Sequence, residues 1–250
     1  LEDEEAEARY CAEIVEAAAA DAQSGLDTAI LYRTNAQSRS FENEFVRRGI
    51  PYRIVGAVRF YEREEVKDVI AVLRLLSNPK DEIGFRRVVN KPARGLGAKT
   101  LMRIVEASLM ADGAERGDLI LASRRIVSSL SKKASHGLRD WIQVYDSLVQ
   151  ALSEGRLEKL SDLVNRSATE TGLSNYHQQQ DEISETQKTA NLEELANAAV
   201  LYASTPEGLS EFLEAIELDS RASNADDEFA RATFITMHNT KGLEFDRVIV

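Results

Sequence analysis

The chain has 250 residues, 43% of them hydrophobic and 29% charged, with a formal net charge of −11. This is the balance of a soluble globular protein, long enough for one or two domains and a proper core. It excludes a membrane-spanning helix, since no apolar run approaches the ~20 residues a span needs, and the single cysteine, Cys11, excludes an intrachain disulfide and argues against a cysteine-based zinc site.

The opening LEDEEAEARY has neither a basic leader nor an apolar stretch, so no secretory signal is expected and a reducing cytoplasm fits. Residues 2–20 read as an acidic, alanine-rich helix with Cys11, Val15 and Ala19 on one stripe, broken at Gly25 and Asp27. Ala29 to Tyr32 is a short apolar run expected as a buried strand. A helix follows from about Gln37 to Arg48, with Phe41 and Phe45 one turn apart and Gly49 as its stop. Pro51 to Val55 alternates as a second strand. Strand, helix and strand within about 28 residues make a βαβ-sized unit and argue for a parallel sheet.

Glu64 to Asn78 is a strong helical pattern, with Val66, Val69, Ile70, Leu73 and Leu76 at helical spacing and Pro79 beyond its end. Helices are also expected around Glu82 to Val89 and Thr100 to Met110, separated by the glycine-bearing turn KPARGLG. From there to about residue 219 no strand is expected. Leu138 to Leu152, Leu157 to Val164 and Leu192 to Tyr202 carry amphipathic helical spacing. Thr205 and Pro206 open a further helix as N-cap and first helical residue. Ser220 to Ala230 is polar and reads as a linker. Thr233 to Thr236 and Arg247 to Val250 then look like strands. A helical stretch flanked by α/β segments is the pattern of an insertion into a parallel-sheet domain.

The net acidity argues against a phosphate-binding surface, yet arginines cluster between residues 33 and 103 while the acids gather in the first 21 residues and after about 180. A local basic face is therefore allowed. Arg33 follows directly on a buried parallel strand, the carboxyl edge where α/β proteins place ligands. It could pair there with phosphate, with Tyr32 offering a flat face to a base, or it could pair with a neighbouring carboxylate while Tyr32 closes the core. A second loop crowds His238, Lys241, Gly242 and Glu244 between two strands, as functional site or as plain solvated connection. The RGLG turn can cradle a phosphate on backbone N–H groups or simply permit a tight bend. LSKKASHGLRDW, residues 130–141, could form a hairpin between helices that grips duplex phosphates through Lys132, Lys133 and His136, or a solvated turn.

Three segments in register carry a resemblance: YRTNAQSR at Tyr32 to Arg39, IPYRIVGAVRFYEREEVKDVIAVLRLLSNP at Ile50 to Pro79, and TMHNTKGLEFDRVIV at Thr236 to Val250. They resemble motif IV, its following segment and the paired motifs Va and V of the UvrD/PcrA/Rep family of superfamily 1 DNA helicases. The resemblance covers about residues 27–110 and 190–250; the helical middle matches only loosely. It implies an α/β fold: a partial, parallel-sheet, RecA-like motor domain (2A) at residues 1–115 and 228–250, interrupted by a mostly helical insertion (2B) at 116–227. It further implies ATP-dependent 3′–5′ DNA unwinding in DNA repair or replication, with DNA as partner, single-stranded and at the junction with duplex, and with repair or replication proteins as further partners. ATP with Mg2+ is the implied cofactor, and no metal ligand is expected in this chain.

By the same resemblance, Tyr32 stacks on adenine and Arg33 reaches the γ-phosphate as the catalytic cation, coupling hydrolysis to domain closure. Gly242 and Glu244 contact the nucleotide, the glutamate at the ribose. Thr236 and His238 touch the single-stranded DNA backbone, with Arg59, Arg94, Lys132 and Lys133 as further phosphate contacts. The 250 residues contain no GxxxxGK[ST] loop and no acidic magnesium-binding pair after a strand. The chain by itself is therefore expected to be inactive as an ATPase. A non-catalytic DNA- or protein-binding module and part of a helicase–nuclease subunit are the alternatives.

Overall fold

The structure, a computed structural model, describes residues 3–20, 27–34, 37–55, 59–184, 186–222, 230–240 and 242–250. It divides into two compact units, Leu1–Arg63 with Glu214–Val250, and Glu64–Leu213. The first holds α1 (Glu4–Ala20), β1 (Thr28–Tyr32), α2 (Ser38–Arg48), β2 (Tyr52–Val55), a 3-10 turn at Phe60–Glu62, β3 (Ala232–Thr236) and β4 (Arg247–Ile249). The second holds α3 (Glu64–Ser77), α4 (Glu82–Val88), α5 (Ala98–Leu109), α6 (Leu119–Ile126), α7 (Lys132–Ser153), α8 (Leu160–Glu170), α9 (Leu173–Ser184) and α10 (Lys188–Ala199). Helix α11 (Pro206–Ala222) has residues in both.

The strands form a four-stranded sheet in the order β2-β3-β1-β4, and each pairing is parallel. β1 and β3 are central and buried along nearly their whole length, threonines included. Their register sets Tyr32 opposite Thr236, so both strands end together at one carboxyl edge. Helix α2 packs Phe41 and Phe45 onto the sheet, where Phe234 meets Phe45 at 4.9 Å and stacks on Tyr52 at 4.6 Å between ring centroids. Cys11 and Val15 of α1 complete this core, as their one-stripe spacing predicts. Gly49 ends α2 in the left-handed region (φ +66°), with its N–H donating to the Phe45 and Val46 carbonyls.

The helical unit starts its helices on short polar side chains: Asp81, Asp118 and Ser131 each accept from a backbone N–H in the first turn of α4, α6 and α7. Thr205 does the same for α11, accepting from Gly208 at 3.1 Å. Beneath the apolar layer of α3 lies a buried carboxylate, Asp68. It receives Arg87 at 2.7 Å, Lys91 at 2.5 Å and His177 at 2.9 Å. Lys91 also reaches Glu64 at 2.6 Å, and Lys188 reaches the same glutamate at 2.7 Å. One hub thus ties α3 to the segment after α4, to α9 and to α10.

One expectation changes. Residues 130–141 are not a hairpin: Ser131 caps α7, and the segment forms its first three turns. Helices α6 and α9 were not anticipated from spacing. The first compact unit ends at Arg63, and α3 to α5 lie in the second. The expected linker at 220–230 lies mostly outside the described residues, and its first residues finish α11.

Candidate functional site

At the carboxyl edge of the sheet, β1 releases Arg33 as an exposed side chain that joins no ion pair among the described residues. The backbone beneath it is held from the far side of the loop. Gln37 Oε1 accepts from the Arg33 N–H at 3.1 Å, the Thr34 N–H at 3.0 Å and the Thr34 hydroxyl at 3.3 Å. Ser38, the next residue, donates to Glu42 at 2.5 Å and accepts from Arg63 at 2.8 Å. Glu42 also accepts from the Phe60 N–H at 3.2 Å, which joins the start of α2 to the 3-10 turn beyond β2. Burial raises the pKa of Glu42, opposed by Ser38 and by Arg63. The Arg39 guanidinium lies over the Phe60 ring at 5.1 Å.

Tyr32 does not present a face to a base. It is 4% exposed and its ring stacks on Phe41, so it closes the core below Arg33. Burial first, then the charge of Glu42, pushes its phenol above the usual range. Arg59 is half-buried on the same edge, with its charge near Glu42. Thr236 ends β3 beside Tyr32 but is itself buried. His238 lies in the 3-10 turn Met237–Asn239 that follows, and Lys241 lies outside the described residues.

Gly242 has φ +85°, with open space where a Cβ would stand, so its turn needs glycine for backbone freedom rather than for close approach. Glu244 is exposed. Asp246, two residues on, donates its N–H to the Asp27 carbonyl at 3.1 Å, at the amino end of β1. β4 therefore starts at the amino end of β1, three residues after Glu244.

In the helical unit, Arg94 is not available to a phosphate. Its guanidinium donates to the carbonyls of Val88, Val89, Lys91, Pro92 and Thr171, and it covers the Trp141 ring at 5.1 Å. It is a structural cap on the end of α4. The RGLG turn is built for close approach: a Cβ on Gly137 of α7 would stand 2.0 Å from the Arg94 carbonyl, and one on Gly95 (φ +78°) 2.8 Å from the Lys133 stem. Lys132 and Lys133 are exposed in the first turn of α7. Gln37 and Glu42 escaped the sequence reasoning; the one available signal for Glu42 was a carboxylate set beside Phe41 and Phe45 on the core face of a helix.

A parallel sheet with an exposed arginine and two strand ends at one carboxyl edge is the α/β arrangement in which ligands bind outside the carboxyl ends of the strands. The chain belongs to the UvrD-like helicase C-terminal domain family, which it matches over residues 1–250. It is 34% identical to the ATP-dependent DNA helicase UvrD1 of Mycobacterium tuberculosis strain H37Rv, over 100% of this chain and 34% of that protein. It is 34% identical to DNA helicase II of Escherichia coli strain K12, over 90% of this chain and 31% of the relative. With the ATP-dependent DNA helicase PcrA of Staphylococcus epidermidis strain RP62A the identity is 32%, over 90% and 30%. The chain thus spans about a third of the length of these relatives.

Proposed function

We propose that this chain is the second motor-domain portion of an ATP-dependent DNA helicase of 3′–5′ polarity, and that Arg33 is its cation for the γ-phosphate. The reading takes residues 1–115 and 228–250 as motor domain 2A and 116–227 as the 2B insertion. One observation carries it: Arg33 stands exposed at the carboxyl end of a central parallel strand, on backbone fixed by Gln37. Family membership supports it, as do the names of the relatives, ATP-dependent DNA helicases. Among the described residues no three His, Cys, Asp or Glu stand together as a metal-ligand set. The contribution we assign to this chain toward Mg-ATP is a positive charge delivered from a second domain, which stabilises the transferring phosphoryl group as its charge spreads. By itself the chain should show no DNA-stimulated ATPase.

DNA is the proposed partner, single-stranded along the sheet edge at Thr236, His238 and Arg59, and duplex at Lys132 and Lys133. The two lysines occupy the first turn of α7, where the helix dipole already carries partial positive charge. A helix start so loaded gains when an anion arrives. Glu244 and Gly242 keep their nucleotide roles on resemblance alone, while Tyr32 acts as the buried support of Arg33.

The test is Arg33→Ala in the helicase that carries this chain. Losing one such donor costs about 3 kcal/mol, on the order of a hundredfold in kcat, with nucleotide affinity nearly unchanged because the charge matters most as the phosphate departs. A kcat within twofold of the parent overturns the assignment.

A further inference from the structure

The position at which α2 begins is occupied against the preference of the fold. Gln37 is its N-cap residue, where Ser, Thr, Asp or Asn would accept from the first-turn N–H groups. Gln37 makes no side-chain cap. Its carboxamide turns backward and its single oxygen collects three donors, the Arg33 N–H, the Thr34 N–H and the Thr34 hydroxyl. Its own N–H donates to the Thr34 carbonyl at 3.2 Å. Arg33 and Gln37 are exposed, so burial of apolar area does not hold their side chains, and the Gln37 oxygen is the shared acceptor for the Arg33 and Thr34 amides.

Behind Gln37 the chain is anchored. Ser38 is fully buried, and the Ser38–Glu42–Phe60–Arg63 hydrogen bonds fix the first turn of α2 to the segment beyond β2. Ahead of Arg33, Tyr32 is locked in the core. The two flanks are therefore rigid, and Gln37 decides the direction in which Arg33 leaves the backbone between them.

We propose that Gln37 is a positioning residue for Arg33: its carboxamide oxygen fixes the Arg33 and Thr34 amides so that the guanidinium is preorganised toward the phosphate. The inference rests on the reading of Arg33 as the γ-phosphate cation. A side chain that is already aimed loses no orientation at the moment of reaction, which is the origin of a rate effect without a binding effect.

The experiment uses Gln37→Met, which keeps the length of the side chain and removes the acceptor. In the helicase that carries this chain, kcat falls about tenfold to a hundredfold, as misplacement of a catalytic group does, while KM for ATP and the melting temperature stay with the parent. In an Arg33→Ala background the same substitution has no further effect on kcat. In the chain itself, the Arg33 and Thr34 amides exchange with solvent faster in Gln37→Met while the β1 amides are unchanged. If Arg33→Ala leaves kcat intact, the reading of Arg33 fails. If Arg33→Ala lowers kcat and Gln37→Met does not, or if Gln37→Met lowers it equally with and without Arg33, the positioning role is overturned while Arg33 stands. Amide exchange unchanged by Gln37→Met overturns the geometric basis directly.

Discussion

Glu42 and Asp68 are both buried carboxylates, one in each compact unit, and their acidities move in opposite directions. Around Glu42 the direct donors are neutral, the Ser38 hydroxyl and the Phe60 amide, while the Arg63 guanidinium stands back at 3.8 Å. Burial wins there and the pKa rises. Around Asp68 burial is again the largest single influence, but His177, Lys91 and Arg87 make direct contacts that together outweigh it, and the pKa is lowered. Glu42 is the more deeply enclosed of the two, so the opposite signs follow both from depth and from the charge-assisted hydrogen bonds that Asp68 receives.

The largest expected effect follows from this. Asp68→Asn leaves Lys91 and Arg87 without their shared anion and should cost about 3–5 kcal/mol, read as a lower urea midpoint. Glu42→Gln keeps the shape of the side chain where burial already disfavours the charge, and should change stability at pH 7 by no more than ~1 kcal/mol. Equal losses in the two variants would break the comparison.

Acid titration sharpens it. Asp68 and Glu64 have lowered pKa values, the second down to about 2 through Lys188 and Lys91. The unfolded chain then binds more protons, so their contribution is complete above the unfolded value near ~4 and is lost as pH falls through the folded values. Glu42 works the other way: the folded state binds the extra proton, so stability is greatest below about 4.5 and declines as pH rises through the raised value. Trp141 is the only tryptophan and is buried in the helical unit, so its fluorescence follows that unit alone. The account expects it to report unfolding between about pH 4 and pH 2 in the parent, and a flatter acid limb in Asp68→Asn. An unchanged limb would remove Asp68 as the source.

The smallest effect concerns α7. Lys132→Gln and Lys133→Gln relieve two charges at the positive end of the helix, and should each stabilise by about 0.3–1 kcal/mol. Each should also reduce the slope of log K against log salt for a tailed duplex by roughly 0.7 to 0.9 if it contacts a phosphate. Greater stability with an unchanged slope would take these lysines off the DNA surface.

The sheet unit was legible in the sequence because its elements are written in apolar spacing: β1 and β3 as buried runs, α2 by Phe41 and Phe45, its end by Gly49. Helix α9 was not, for a physical reason. Its buried face consists of Leu173 and His177, and the histidine is held by Asp68 rather than by apolar area, so no hydrophobic stripe forms. Arg33 stood out as a candidate because a strand end marks its place. Gln37 leaves no such pattern, since a side chain that bonds to backbone can do so beside any residue type. Arg94 was misplaced because an arginine that caps carbonyls and one that meets phosphate differ only in their neighbours, here Trp141 and Thr171, which are remote in sequence.

The account separates the two units by task, with chemistry at the sheet edge and the larger electrostatic contribution to stability in the helical hub. The most direct test is kcat at saturating ATP and single-stranded DNA, measured beside the melting temperature for Arg33→Ala and Asp68→Asn in the same helicase. The account predicts a crossed result: Arg33→Ala loses on the order of a hundredfold in kcat with its melting temperature unchanged, and Asp68→Asn melts lower while keeping its kcat at temperatures where it is folded. An Arg33→Ala enzyme that melts early and turns over normally would contradict it.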